Sequence, residues 1–157
     1  MAYPLTAHNT FGIAATCDSF FEYASVEELQ ALLPQLNQQR WLHIGAGSNL
    51  LFVHPHFDGV ILHSGIKGWE RINETDTTVD IRVGAGEEMD AFIAQMIDQG
   101  YYGLENLSHI PGEVGASAVQ NVGAYGVEAG DFIVSVEALA VATQQVVTLQ
   151  HDDCHYS

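Results

Sequence analysis

Only four of the 157 residues are lysine or arginine, against 20 aspartates and glutamates, and the formal net charge is −16. Nucleic acids and anionic membranes are held by clustered Lys and Arg, so both are excluded as partners. The acidity itself reads as a solubility or halotolerance trait. Cysteine is nearly absent. Cys17 and Cys154 stand far apart, match no metal or redox spacing, and read as free thiols in a reducing compartment. No run reaches the ~18 apolar residues of a membrane span. The first residues, MAYPLTAHNTFGI, lack the basic-then-apolar order of a signal peptide. A cytoplasmic location is the resulting expectation. Low-complexity linkers are missing as well. What is present is 47% apolar and only 15% charged, a composition that folds. The length suits one domain or two small ones.

Periodicity predicts the elements. CDSFFEYA (17–24) reads as a strand. SVEELQALLPQL follows with Ser25 as N-cap, Glu28 completing a capping box, Leu29, Leu32 and Leu33 on one face, and Pro34 ending the helix. WLHI (41–44) and GVILHS (59–64) are apolar strands. GWERIN and TTVDIRVG alternate around ETD as a hairpin. GAGEEMDAFIAQMIDQG (84–100) predicts about four turns of helix, with Met89, Phe92, Ile93, Met96 and Ile97 on its apolar face. DFIVSVEALAVAT and QQVVTLQ (131–149) form a second hairpin. LQHDDCHYS reads as a helix just starting, which marks the chain as a piece of something longer. The pattern is βαβ to residue 65, then a second α+β lobe over 66–157 that is still unfinished.

Two glycine segments hold the chemistry. In GAGSN, glycine after a strand permits positive φ and close approach to a ligand, and successive N–H groups converge on an anion. Leu50 stands where a Rossmann pattern needs glycine, and Pro55 breaks the helix that pattern requires. A phosphate turn and a plain tight turn remain open. GAGEE repeats the glycines but places Glu87 and Glu88 at a helix N-terminus, where they complement the dipole and repel phosphate. It reads as structural. IPGEVGASAVQNVGAYG (110–126) has four glycines and a single charge, Glu113. A short helix of small residues from Gly115, closed by Gly123, lets backbone lie against something flat. Gln120 and Asn121 offer donor and acceptor groups, and Tyr125 adds a ring. A cofactor cleft and close packing between lobes fit equally well. His54 and His56 form an H-x-H without a third ligand at fixed spacing, so no metal is assigned. His109 reads as packed or as support for the glycine segment.

Taken together, NTFGI (9–13), GAGSNLLF (45–52), VGAG (83–86), GLENLSHIPGEVGASAVQNVGAYG (103–126) and DDCHYS (152–157) resemble the UDP-N-acetylenolpyruvoylglucosamine reductase family. The resemblance covers the whole chain in order. GAGSN is shared more widely with the vanillyl-alcohol-oxidase, or PCMH, type of FAD domain. The resemblance implies an α+β fold of two FAD-binding lobes, 1–65 and 66–157, the second truncated, with the substrate-binding C-terminal domain absent. It implies FAD as cofactor. Gly45, Ala46, Gly47, Ser48, Asn49 and Leu50 would hold the pyrophosphate. Ile110, Pro111, Gly112, Gly115, Ala116, Ser117, Gln120, Asn121, Gly123, Ala124 and Tyr125 would line the flavin and its ribityl–diphosphate chain.

The implied activity is NADPH-dependent reduction of UDP-N-acetylglucosamine enolpyruvate to UDP-N-acetylmuramate. That step belongs to peptidoglycan synthesis, and through it to cell-wall biogenesis, cell shape and division. The family's catalytic arginine follows the Cys-x-Tyr pattern and would lie beyond Ser157, as would its serine and glutamate. Hence no catalytic residue is carried over, and this chain alone is expected to be inactive. Ala118 stands where the family commonly has proline. The alternative reading is a stand-alone, non-catalytic FAD-fold scaffold. An uncovered apolar sheet at 131–149 would then favour self-association.

Overall fold

A computed structural model describes residues 2–156. The chain divides into two compact units, Met1–Ile66 and Lys67–Ser157. Among the described residues no helix is long and apolar enough to cross a membrane.

The first unit is built on β1 (Tyr3–Pro4), β2 (Thr16–Tyr23), α1 (Val26–Leu36), β3 (Trp41–Ile44) and β4 (His56–Ser64). Its sheet has the order β1-β2-β4-β3, with β4 parallel to both β2 and β3 and β1 antiparallel to β2. Val60, Ile61 and Leu62 are all buried in succession. That is the mark of a central parallel strand covered on both faces. Leu5, Ala15, Cys17, Ile44 and Ile61 form a buried cluster, with Leu50, Phe52 and Phe57 packed against it.

α1 starts where the sequence places it. The Ser25 hydroxyl accepts from the Glu28 N–H at 3.1 Å, and the Glu28 carboxylate accepts from the Ala24 N–H at 2.7 Å. Such a cap is worth about 1 kcal/mol. The helix does not end at Pro34, however; it runs on to Leu36. Proline inside a helix costs about 3 kcal/mol. Leu33 and Leu36 are both buried, and each buried leucine returns about 1.5–3 kcal/mol. Only two residues follow the proline, so packing offsets its cost. β4 also begins earlier than its apolar run, at His56, because Thr16 and Cys17 pair with His56 and Phe57.

The second unit contains the hairpin β5 (Trp69–Glu74) and β6 (Val79–Val83), α2 (Met89–Asp98), α3 (Val114–Gln120), the short pair β7 (Gly123–Ala124) and β8 (Val127–Glu128), and the hairpin β9 (Ser135–Ala140) and β10 (Gln145–Gln150). Met89, Ile93 and Leu107 form its core cluster, with Leu104, Ile110, Val114 and Val127 packed around them.

Here the sequence reading needs correction. The helix predicted over 84–100 begins only at Met89, and Ile97 is 37% exposed. Residues 84–88 are otherwise engaged. Ala85 O accepts from Gly115 N, Glu87 O from Val114 N, and Gly112 O from Met89 N, at 2.9, 2.9 and 3.0 Å. Glu88 and Glu113 form a β-bridge. A backbone committed to a bridge cannot close helical hydrogen bonds. Glu87 does not serve the helix dipole either; its carboxylate accepts the Gly68 N–H at 2.6 Å.

The terminal segment is one 3-10 turn, His151–Cys154, closed by His155 at φ 52°. Tyr156 then donates its hydroxyl to Ala118 O at 2.9 Å. Every residue of β10 is exposed, including Val146 and Leu149.

Candidate functional site

The GAGSN turn leaves the C-terminal end of β3, the end of a parallel sheet at which ligands bind. No charged side chain occurs from Gly45 to Val53, so nothing in the turn repels an anion. Ala46 and Asn49 are exposed, while Gly45, Ser48 and Leu50 are half-buried. Leu50 packs on the core and anchors the turn. Gly47 is different. It is buried with φ +74°, and a Cβ there would stand 2.0 Å from His8 O. Its glycine is required by the chain's own N-terminal loop.

In the second segment, α3 starts one residue earlier than expected, at Val114, and ends earlier, at Gln120. The left-handed residue at its end is Asn121, φ 45°, and not Gly123, which pairs with Glu128 in β7–β8. Asparagine tolerates this conformation because its side chain bonds locally. Asn121 Oδ1 accepts from Gly130 N at 2.8 Å, and Nδ2 donates to Glu128 at 2.6 Å. Ser117 is buried and its hydroxyl donates to Val114 O at 2.7 Å. Gly115 fits against Ala85, where a Cβ would meet the Ala85 Cβ at 2.8 Å. Ile110 belongs to the α2 core. Gly112 and Ala116 are half-buried, and Gly112 takes φ 142°.

The predicted residues thus divide in two. Ile110, Gly115, Ser117 and Asn121 fix the segment's shape. Pro111, Gln120, Gly123 and Tyr125 are exposed, and Ala124 is half-buried. Tyr125 is 87% exposed at φ 54°, and Val119 is 86% exposed. A helix turn of small residues that presents Val119, Gln120 and an outward tyrosine offers apolar surface with one exposed amide. That donor set suits a flat heterocycle.

Sequence reasoning missed several positions. Asn9 had no assigned role, yet it is buried and makes three hydrogen bonds. His109 has φ 61°, and its N–H donates to Asp90 at 2.7 Å; the exposed ring stands 3.7 Å from that carboxylate. No local signal marks either pairing. The structure groups only His56 of the H-x-H with other ligand-type side chains, one on β2 and one just beyond it. Asp18, His56 and Asp58 bring ligand atoms within 4.8 Å of one another, without His54. All three are exposed, and His56 is taken up by Thr16 Oγ1 at 2.8 Å and Asp18 at 3.1 Å. No metal role is assigned to them.

A family model described as an FAD binding domain matches residues 18–150. The chain belongs to this FAD-binding family. It is similar to the UDP-N-acetylenolpyruvoylglucosamine reductase of Bacteroides fragilis, 51% identical over 99% of this chain and 46% of that protein. The enzyme of the same name from Porphyromonas gingivalis is 43% identical, with 99% and 46% covered. A crystal structure of UDP-N-acetylenolpyruvylglucosamine reductase from Thermus caldophilus superposes with a TM-score of 0.77. It covers 98% of this chain and 53% of that one at 21% identity, which establishes the fold. The α+β fold expected from the sequence is the one found. The chain spans less than half the length of the curated relatives it matches.

Proposed function

We propose that this chain is the FAD-holding part of a UDP-N-acetylenolpyruvoylglucosamine reductase and that the two units are its FAD-binding lobes. The observation that carries the reading is 51% identity across 99% of the chain to a protein of that name. Gly45, Ala46, Ser48, Asn49 and Leu50 hold the pyrophosphate, with Gly47 setting the turn. Pro111, Gly112, Ala116, Gln120, Gly123, Ala124 and Tyr125 lie along the flavin and its ribityl chain. Ile110, Gly115, Ser117 and Asn121 keep that surface in place.

Bound FAD supplies the hydride chemistry, reduced by NADPH and acting on UDP-N-acetylglucosamine enolpyruvate to give UDP-N-acetylmuramate for peptidoglycan. This chain's own part is to bind and orient. The uncharged turn accepts the diphosphate through backbone N–H groups and the Ser48 and Asn49 side chains. Val119 and Tyr125 cover the ring and exclude water from it. None of these residues is assigned to stabilising charge on the substrate. A cytoplasmic setting and a role in cell shape and division follow from the same reading.

Titrating the purified chain with FAD, followed by flavin fluorescence and gel filtration, tests this. Stoichiometric uptake that the double variant Gln120→Ala/Tyr125→Ala weakens supports the reading. Absence of uptake, or uptake indifferent to those changes, overturns it.

A further inference from the structure

The motif Asn9-Thr10-Phe11-Gly12-Ile13 has no part in the site as described, although it packs directly on it. Asn9 is 5% exposed. Its Nδ2 donates to Leu5 O at 2.8 Å and to Ile13 O at 3.1 Å, and its Oδ1 accepts the Ile13 N–H at 2.9 Å. One carboxamide therefore spans the loop from Leu5 to Ile13. The Leu5 N–H to Ala15 O bond, 2.8 Å, closes the loop's base, and Leu5 and Ala15 are core residues. This loop delivers two contacts to the glycine turn. His8 O occupies the space a side chain at Gly47 would fill, and the Thr10 N–H donates to Gly47 O at 3.2 Å. Both contacts come from residues flanking Asn9.

We propose that Asn9 is a positioning residue for the 45–50 turn: by clamping the 5–13 loop it fixes Gly47 in its left-handed conformation, and so aims the backbone N–H groups of the turn at the FAD pyrophosphate. The role in cofactor binding rests on the function proposed above; the clamp itself does not. The physical argument is that glycine in free chain visits both signs of φ about equally, so nothing local to the turn holds Gly47 at φ +74°. A turn held on one side only by β3 would exchange among several shapes, and an anion would have to select one of them. A loop locked by three hydrogen bonds of one buried side chain removes that freedom before the ligand arrives.

Hydrogen exchange on the FAD-free chain reads the clamp. In Asn9→Ala the amides of 45–50 exchange about tenfold faster, the equivalent of one lost hydrogen bond of ordinary strength. The β4 amides Val60–Leu62 keep their protection, which a purely general loss of stability would not allow. Asn9→Ser, which keeps a small polar group at the site, shows the same pattern at smaller amplitude and serves if the alanine variant fails to fold. FAD titration of the same proteins shows about tenfold weaker binding. If the chain takes up no FAD, the site reading falls while the exchange result still decides the clamp. Unchanged exchange at 45–50, or equal acceleration in β4, overturns the inference. So does unaltered FAD affinity in a variant whose turn has loosened.

Discussion

Gly130 donates its N–H to the Asn121 side chain at 2.8 Å, and a Cβ at Gly130 would stand at that same distance from the Asn121 oxygen. The bond and the fit depend on each other: the glycine is needed for the asparagine to reach. Asn121 also donates to Glu128, and Glu128 accepts the Asn121 amide while its own N–H donates to Asp131. The end of α3 is thereby tied to the turn after β8.

Asn121→Ala therefore strips a half-buried backbone N–H of its partner, at about 1–3 kcal/mol. It also leaves a β-carbon at φ 45° without the local side-chain bonds that offset, in asparagine, that conformation's cost of about 1–2 kcal/mol. Asn121→Gly removes the second penalty only. The expected order of stability in urea unfolding is wild type, then glycine, then alanine. An alanine variant as stable as the glycine variant would show that φ does not matter here.

Gly47 and Gly126 have similar positive φ, +74° and +79°, but different surroundings. A Cβ at Gly126 meets nothing within 4 Å, so Gly126→Ala costs only the conformational term, about 1–2 kcal/mol. At Gly47 the added carbon collides with backbone at 2.0 Å. Gly47→Ala is expected to lower the melting temperature markedly more than Gly126→Ala.

His8 packs beside the stacked rings of Tyr3 and Phe20, at 5.7 and 4.2 Å from them. Burial, then the nearby His63, hold its pKa below the ordinary histidine value, with Glu22 opposing them. The unfolded chain thus takes up the proton first as pH falls. The stability contributed by neutral His8 is full above the ordinary value, near pH 6.5, and is lost as pH drops through the lower folded value. Below pH 6.5, wild type should lose stability with falling pH faster than His8→Gln in parallel urea titrations. A steeper loss in the variant would reverse the sign of the argument.

Cys17 is fully buried, and burial pushes its thiol pKa up. A buried, protonated thiol is unreactive. In the native chain a thiol reagent should modify Cys154, which is half-buried, and should reach Cys17 only on unfolding. Mass spectrometry of the peptides distinguishes the two, and rapid native labelling of Cys17 would contradict the core assignment.

Much of this protein was legible because the signals are local. The Ser25–Glu28 box, the apolar strands Trp41–Ile44 and Gly59–Ser64, the hairpins, and the two glycine segments all depend on residues within a turn or two of one another. What the tertiary structure alone decided depends on partners distant in sequence. GAGEE lost its helical start because 112–115 claimed its backbone. Helix α1 kept its last turn past Pro34 because Leu33 and Leu36 found a core. The φ of Gly47 is imposed by His8, and the acceptor for the Gly130 amide is Asn121. Composition names the residues that are able to adopt such conformations. Which of them must do so is set by the backbone that packs against them, and no periodicity encodes that.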